Sequence, residues 1–396
     1  MQLRTFEYRL YPSRKQEERL IKSLNVCKHI YNELLNLSID TYNLKGVSLS
    51  RFDYNAYLAG KYSEIYSKSR ENVADRVSKA FNNFFQKVKD KSCKKKGFPR
   101  FKSKVRSITY PQARTKRGRC CFWFVSDKRL RISRIGNVPI VLHRVPSGKI
   151  KSLTVKQNNA NQWFATFVCE LPDAQGMKGP VPSIGLDFGL EKFVTFSNGE
   201  SEINPRYSLR SEKRMRMLQR KVGRKMKGSK NRHKSQFKVA KLSNRIVNQR
   251  KDFLHKLSRK LTSRFGRIYV EHLKIQNMMR NHTLAKHIAD AGWNSFVQML
   301  SYKAVTCGGQ LIKVNPRNTS KACSSCGSLM NMPLSQRQFV CSSCGFAAHR
   351  DVNAAKNILK VGADCTELNA CGDSTSTPSK EVACGVVEAG TTLGNI

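Results

Sequence analysis

Cys323, Cys326, Cys341 and Cys344 form two CxxC pairs. That spacing lets each pair of thiolates grip one side of a tetrahedral Zn²⁺, with Gly327 and Gly345 suited to the knuckle turns. The competing readings are two disulfides or four inert thiols; paired CxxC spacing favours a shared metal. Soon after the last cysteine comes Arg350-Asp351-Val352-Asn353, so a metal-stapled finger runs into a lone acid just before an expected helix. Two more acids occupy comparable places. Asp187 lies in an apolar strand flanked by glycines, and Glu271 ends another strand. Singly, each also reads as a capping or ion-paired residue. Together, on strand, strand and helix of a very basic chain, they need cationic partners, and divalent metal ions can bridge such carboxylates to a phosphodiester. Two Mg²⁺ ions about 3.5 to 4 Å apart would activate water and stabilise the leaving 3′ oxygen.

The chain carries 73 Lys and Arg against 27 Asp and Glu, a formal charge of +46 over 396 residues. Its expected partner is a polyanion. No apolar run approaches the ~18 to 20 residues of a membrane span, and no lipidation signature is present, so nucleic acid is the better reading. The N-terminus lacks an apolar signal region and alternates as a half-buried strand does, which points to a cytosolic, non-secreted protein. Of thirteen cysteines, nine (Cys27, Cys93, Cys120, Cys121, Cys169, Cys307, Cys365, Cys371 and Cys384) show no regular pairing and read as ordinary thiols in a reducing compartment.

The elements that must position these groups follow from periodicity. Leu20, Leu24, Cys27, Ile30, Tyr31 and Leu34 predict an amphipathic helix over 15–37, and Val73, Val77, Phe81, Phe84, Phe85 and Val88 a second over 71–88. Together they suggest a small helical bundle. After it, Lys94, Lys95, Lys96, Arg100 and Lys102 are interleaved with Phe98 and Phe101, which suits phosphate contact plus base stacking; the alternative is a solvated loop. Short β segments fill 105–171, most clearly the hairpin 150–157 with 163–171. The first ten residues would complete that barrel or sheet, with the bundle inserted, and 172–182 would be a linker. Two strands joined by a turn fit 183–199. Residues 210–260 hold twenty Lys or Arg and only Glu212 and Asp252 as acids, predicting a basic helical hairpin with Arg220, Lys221, Arg224 and Lys225 as candidate nucleic-acid contacts. A solvated charged face is the bland alternative, but so many cations would repel one another without a polyanion. Further on, a strand over 267–271, a helix around Trp293, Phe296 and Leu300, and a strand over 310–314 precede the cysteines. Past Val361 the sequence reads as a mostly disordered tail.

Four blocks in one order resemble the TnpB family, the RNA-guided nucleases encoded by bacterial and archaeal insertion sequences and related to type V CRISPR effectors. They are Gly185-Leu186-Asp187-Phe188-Gly189-Leu190, Val270-Glu271-His272-Leu273, Thr319 through Gly327, and Cys341 through Ile358. Tyr8-Arg9-Leu10-Tyr11-Pro12 and Gly97-Phe98-Pro99-Arg100-Phe101 look like the family too, so the resemblance covers nearly the whole chain. It implies a multidomain α/β fold: an RNase H-like RuvC nuclease domain (183–320 and 347–361) with a zinc-ribbon insert (321–346), preceded by a β wedge domain (1–12 and 105–178) carrying an inserted helical recognition bundle (13–104). A disordered tail (362–396) would follow. Asp187, Glu271 and Asp351 would be the catalytic Mg²⁺ ligands, and the four cysteines structural zinc ligands. His349 departs from the family, which often has an acid ahead of the Arg-Asp pair.

The implied function is Mg²⁺-dependent cleavage of double-stranded DNA beside a short target-adjacent motif, directed by an element-encoded guide RNA and supporting retention of the element. It would act in the prokaryotic cytosol, associated with the nucleoid. Alternatives are a guided DNA-binding repressor or transposition accessory factor that no longer cuts, and a transposase that joins strands directly. Retention of all three acids argues against the repressor, and the zinc insert against the transposase.

Overall fold

The computed structural model describes residues 2–90, 92–93, 95–112, 120–172, 182–333 and 336–371. The chain divides into two compact units, Met1–Gln175 with Tyr207–Asp252, and Gly176–Arg206 with Phe253–Ile396.

The first unit starts with strand β1 (Gln2–Leu10), in which Phe6, Tyr8 and Leu10 alternate inward. Helix α1 (Arg14–Lys45) begins at a reciprocal cap in which the Ser13 side chain accepts from the Gln16 N–H and the Gln16 side chain accepts from the Ser13 N–H. It ends at Gly46 in the left-handed conformation. The helix runs about two turns past its predicted end at Leu37: Ile39 still packs on the core, while Tyr42 and Leu44 are exposed. A short helix α2 (Arg51–Tyr57) carried no apolar periodicity to predict it. Helix α3 (Ser67–Lys89) packs on α1 through Val73, Ala74 and Val77. Its predicted apolar face is only half correct. Phe85 and Val88 are exposed, and Phe81, Phe84 and Phe85 cluster with Phe98 of the following loop.

Strands β2 (Ser107–Pro111), β3 (Phe122–Ser126), β4 (Arg129–Ile132), β5 (Gly136–Val141), β6 (Lys149–Gln157) and β7 (Trp163–Leu171) join β1 in one antiparallel sheet of order β2-β6-β7-β1-β5-β4-β3. β1 pairs with β7 along its whole length, Gln2↔Leu171 to Leu10↔Trp163, and with β5 at Arg9↔Val141 and Leu10↔Ile140. The N-terminus therefore does complete a sheet whose first interruption is the helical insertion. The linker predicted at 172–182 lies mostly outside the described residues.

The second unit is built on β8 (Ser183–Phe188), β9 (Lys192–Phe196) and β10 (Ser201–Ile203). The chain then makes two basic helices, α4 (Tyr207–Gly223) and α5 (Lys230–Arg264), before β11 (Arg267–Glu271). Short helices α6 (Ile275–Met278) and α7 (Ala285–Ala291), helix α8 (Trp293–Thr306) and strand β12 (Gln310–Val314) follow. The sheet order is β10-β9-β8-β11-β12, with β8, β11 and β12 parallel and β9 and β10 antiparallel. Numbered within the unit this is 3-2-1-4-5, an RNase H-like sheet. One face packs Ile184, Leu186, Ile268 and Val270 against Leu254, Leu257, Leu261, Phe296 and Leu300. A small ribbon of β13 (Gln338–Val340) and β14 (Ala347–His349) precedes the last helix, α9 (Arg350–Cys371), which covers the sheet's other face through Ile358 against Tyr269 and Val314.

Two boundaries differ from expectation. Tyr207–Asp252, placed by sequence within 183–320, groups with the N-terminal unit, where Lys251 of α5 reaches the carboxylate of Glu7 on β1 at 3.6 Å. The expected disordered tail also starts too early at 362: α9 runs on to Cys371, and Gly362 is buried against the ring of Tyr269. Residues 372–396 lie outside the described residues.

Candidate active site

Register brings the first two acids together. Val270 pairs with Leu186 on the parallel strands β11 and β8, so Glu271 and Asp187 follow at the same ends of adjacent central strands. Alternation decides which way they face. Ile184 and Leu186 enter the core, so Gly185 and Asp187 share the opposite face, as do Tyr269 and Glu271. That is the face covered by α9, whose first turn carries Asp351.

Close approach of α9 depends on a missing side chain. A Cβ at Gly185 would lie 2.2 Å from the carbonyl oxygen of Ala355, one turn beyond Asp351. The glycine two residues before Asp187 thus lets the helix settle on β8.

Asp187, Glu271 and Asp351 line one cleft of about 460 Å³. Lys192, Arg206, Arg337 and Arg350 line it too, with Glu191 as the other acid. Phe188 forms part of the wall and is stacked on Trp293, ring centroids 6.2 Å apart. Burial, then the charges of Glu271 and Asp351, push the Asp187 carboxyl well above the ordinary aspartate range, with Arg350 opposing. Burial also raises Glu271, whose carboxylate accepts a hydrogen bond from the Thr319 hydroxyl. Asp351 has Arg337 4.0 Å from one oxygen and His349 Nδ1 3.8 Å from the other. His349 Nδ1 accepts from the Asp351 backbone N–H at 3.3 Å, so at this position the imidazole caps the helix start. Three carboxylates lining one cleft are a donor set suited to hard divalent cations.

The four cysteine sulfurs lie within 4.8 Å of one another, and among the described residues they are the one potential ligand group drawn that close. Cys323 Sγ is 3.7 Å from Cys344 Sγ, and Cys326 Sγ 3.6 Å from Cys341 Sγ. These separations exceed a disulfide bond of about 2.05 Å and link the two knuckles crosswise, which removes the disulfide reading. The Ser328 hydroxyl and backbone hold the Cys326 thiol down to about 6. Phe339 with Met330, Met332 and Phe346 forms the ribbon's small core. The donor set fits one tetrahedral zinc.

The candidate nucleic-acid contacts fall in two places within the N-terminal unit. Lys95, Lys96, Arg100 and Lys102 lie exposed on a loop pinned to α1, where Asn32 exchanges hydrogen bonds with the Lys102 backbone at 2.8 and 3.0 Å. Lys94 lies outside the described residues. Arg220, Lys221 and Arg224 line one groove with Arg210, Lys213 and Arg214 on α4, a helix with no buried residue. Lys225 departs from them: its ammonium donates to Ser235 Oγ at 2.7 Å and the Asn231 carbonyl at 3.2 Å, closing the α4–α5 turn.

Thr319, Asn353 and Asn357 lie in sequence blocks named above but were given no role; all three are buried. Asparagines four apart on an otherwise apolar helix face were the available signal.

Comparison with known proteins follows the same layout. The family described as "Probable transposase" matches residues 166–282, and "Cas12f1-like, TNB domain" matches 293–358. A "Helix-turn-helix domain" family matches 1–46, which here form β1 and the single helix α1. A Streptomyces pristinaespiralis protein named "Putative RNA-guided DNA endonuclease" is 32% identical over 383 residues, covering 93% of this chain and 91% of its own. The Escherichia coli K12 protein "Putative RNA-guided DNA endonuclease InsQ" is 27% identical, with 94% of each chain covered. A solved structure titled mini-RNA-guided endonuclease CRISPR-Cas_phi3 aligns at a TM-score of 0.49 and 11% identity over 91% of this chain and 92% of that one.

An RNase H-like sheet with acids at the ends of its central strands, and a four-cysteine ribbon between its last strand and last helix, defines a RuvC-type α/β protein. The near full-length relatedness then narrows the class: this chain belongs to the TnpB family.

Proposed function

We propose that this protein is an RNA-guided endonuclease that cuts double-stranded DNA beside a short target-adjacent motif and is encoded by a transposable element. The observation that carries this reading is the convergence of Asp187, Glu271 and Asp351 on one cleft in an RNase H-like unit. The names of the relatives over nearly their whole length point the same way.

In this reading the three carboxylates would hold Mg²⁺ and the four cysteines structural Zn²⁺. Bound there, Mg²⁺ would supply an activated water and stabilise the leaving oxygen. The chain's own part is to orient the ligands and gather phosphate. Burial, and then the repulsion of Glu271 and Asp351, raise the Asp187 carboxyl; a bound cation would offset both and so be favoured there. Lys192, Arg206, Arg337 and Arg350 supply positive charge where a scissile phosphate would enter. Guide RNA delegates sequence choice to base pairing, and the exposed cations of α4 and the 95–102 loop suit backbone contact with RNA or DNA. No helix among the described residues is long and apolar enough to cross a membrane. The reading places the protein in the prokaryotic cytosol beside the nucleoid.

The test is cleavage of a plasmid library with randomised flanks by protein co-purified with its co-expressed element-end RNA in Mg²⁺, beside Asp187→Ala. Guide-dependent cutting that the substitution abolishes is the expected result. Guided binding without cutting by the wild type would replace this reading with that of a repressor, and binding indifferent to the guide would remove RNA guidance.

A further inference from the structure

Three buried polar side chains join the cysteine ribbon to the acidic cleft. Thr319, Asn353 and Asn357 are 3%, 0% and 6% exposed. A buried amide is costly unless its donors and acceptors are satisfied, so the choice of partners is informative. Both asparagines spend their side chains on one short segment. Asn353 Oδ1 accepts from the Ser324 N–H at 2.9 Å, and its Nδ2 donates to the Ala322 carbonyl at 2.7 Å. Asn357 Nδ2 donates to the same Ala322 carbonyl at 2.7 Å and to the Thr319 carbonyl at 2.8 Å. The stretch from Thr319 to Ser324, which contains the buried ligand Cys323, is thereby strapped along α9 within the first two turns beyond Asp351.

At the near end of the strap, the Thr319 hydroxyl has two acceptors in reach, the Glu271 carboxylate and the Pro316 carbonyl at 3.2 Å. It has one proton, and the ionised acceptor is the stronger. The hydroxyl therefore fixes one oxygen of Glu271, a residue that lines the cleft.

We infer that Thr319 is the positioning residue for Glu271, and that Asn353 and Asn357 set Thr319 by holding the knuckle segment on the helix that carries Asp351. The ribbon then belongs to the frame of the cleft. This rests on the reading of the three carboxylates as divalent-cation ligands. Outer partners of this kind are ordinarily worth 10- to 100-fold in metal affinity.

The test is direct binding of Mn²⁺ to the zinc-loaded full chain, followed by electron paramagnetic resonance, with zinc content measured on the same samples. Asp187→Ala defines the part of the binding that belongs to the cleft. Thr319→Val should weaken that part by about tenfold or more with zinc retained, and Thr319→Ser, which keeps the hydroxyl, should restore it. Asn357→Ala should weaken it in the same direction. Thr319→Val binding Mn²⁺ as the wild type does would overturn the inference, as would failure of Thr319→Ser to restore it. If wild type and Asp187→Ala bind alike, the carboxylates are not the ligands and both readings fall. The threonine pair, which removes or returns one hydroxyl, keeps the test valid even if the asparagine variant does not fold.

Discussion

The cysteine cluster and the carboxylate cluster are built in opposite ways. The sulfurs come from one short stretch of chain, close to within 4.8 Å, and stand on a ribbon whose core is little more than Phe339 and its neighbours. The carboxylates come from β8, β11 and α9, far apart in sequence, and share an open cleft of about 460 Å³. A closed ligand set fills its metal's coordination and serves structure; an open one leaves room for substrate and water. The cysteine cluster draws all four ligands from one short ribbon. The acidic cluster needs a whole sheet, its register and a helix pressed onto it.

That contrast can be broken from either side. The largest effect should come from Cys326→Ser. It removes one of four sulfurs, so bound zinc should be lost and the ribbon should melt, since finger-type zinc binding supplies about 10 to 16 kcal/mol of folding free energy. Zinc analysis and proteolysis within 321–346 read this out, and full cleavage activity without bound zinc would sink the structural-zinc reading. Gly185→Ala attacks the acidic cluster without touching an acid. The added methyl would meet the Ala355 carbonyl at 2.2 Å and lift α9 from β8. A loss of about 1 to 3 kcal/mol in stability, with cleavage falling further than thermal stability alone explains, is expected from melting curves and cleavage rates.

Charge reversal at Arg220 and Lys221 touches neither cluster. It should leave zinc content and folding intact, weaken nucleic-acid binding, and flatten the slope of log affinity against log salt by about one for each phosphate no longer neutralised. An unchanged slope would exclude these two residues from pairing with phosphate. The smallest effect belongs to Glu7, a carboxylate opposite in behaviour to those of the cleft. Burial alone would raise it, but Lys251 and Lys156 together pull it below its ordinary value of 4.5. A depressed carboxylate stabilises the fold above its unfolded pKa and loses that contribution as pH falls through its folded one. Glu7→Gln should therefore lower the melting temperature at pH 7 and matter progressively less below about pH 4. With the side chain about a third exposed, solvent screening limits the effect to about 1 kcal/mol or less.

The same contrast explains what could be read before the structure. Four cysteines at CxxC spacing declare their site in one window of sequence. Asp187, Glu271 and Asp351 were found because each ends or begins an element of clear apolar pattern, and motif resemblance tied them together. Thr319 stood in a quoted block, but its role was not legible because a buried hydroxyl in a loop looks like any surface threonine until its partner is known. The face of α3 was misjudged for a related reason: aromatics at helical spacing mark burial, yet Phe85 and Val88 stay exposed while Phe81 and Phe84 turn to Phe98. The end of α9 was set too early because the sequence past Val361 turns Gly-, Ser- and Thr-rich with little periodicity, whereas Gly362 lets the helix pass close to Tyr269.

The order of elements also bears on how the protein comes into being. Chains fold from the N-terminus as they leave the ribosome, and α9 is the last described element to emerge. Until then the sheet already holds Asp187 and Glu271, but nothing covers its second face and the third acid is absent. Translation itself thus withholds the third acid of the cleft until the basic helices and the ribbon are made. A gene copy broken just ahead of α9 would keep the basic helices α4 and α5 and lack Asp351.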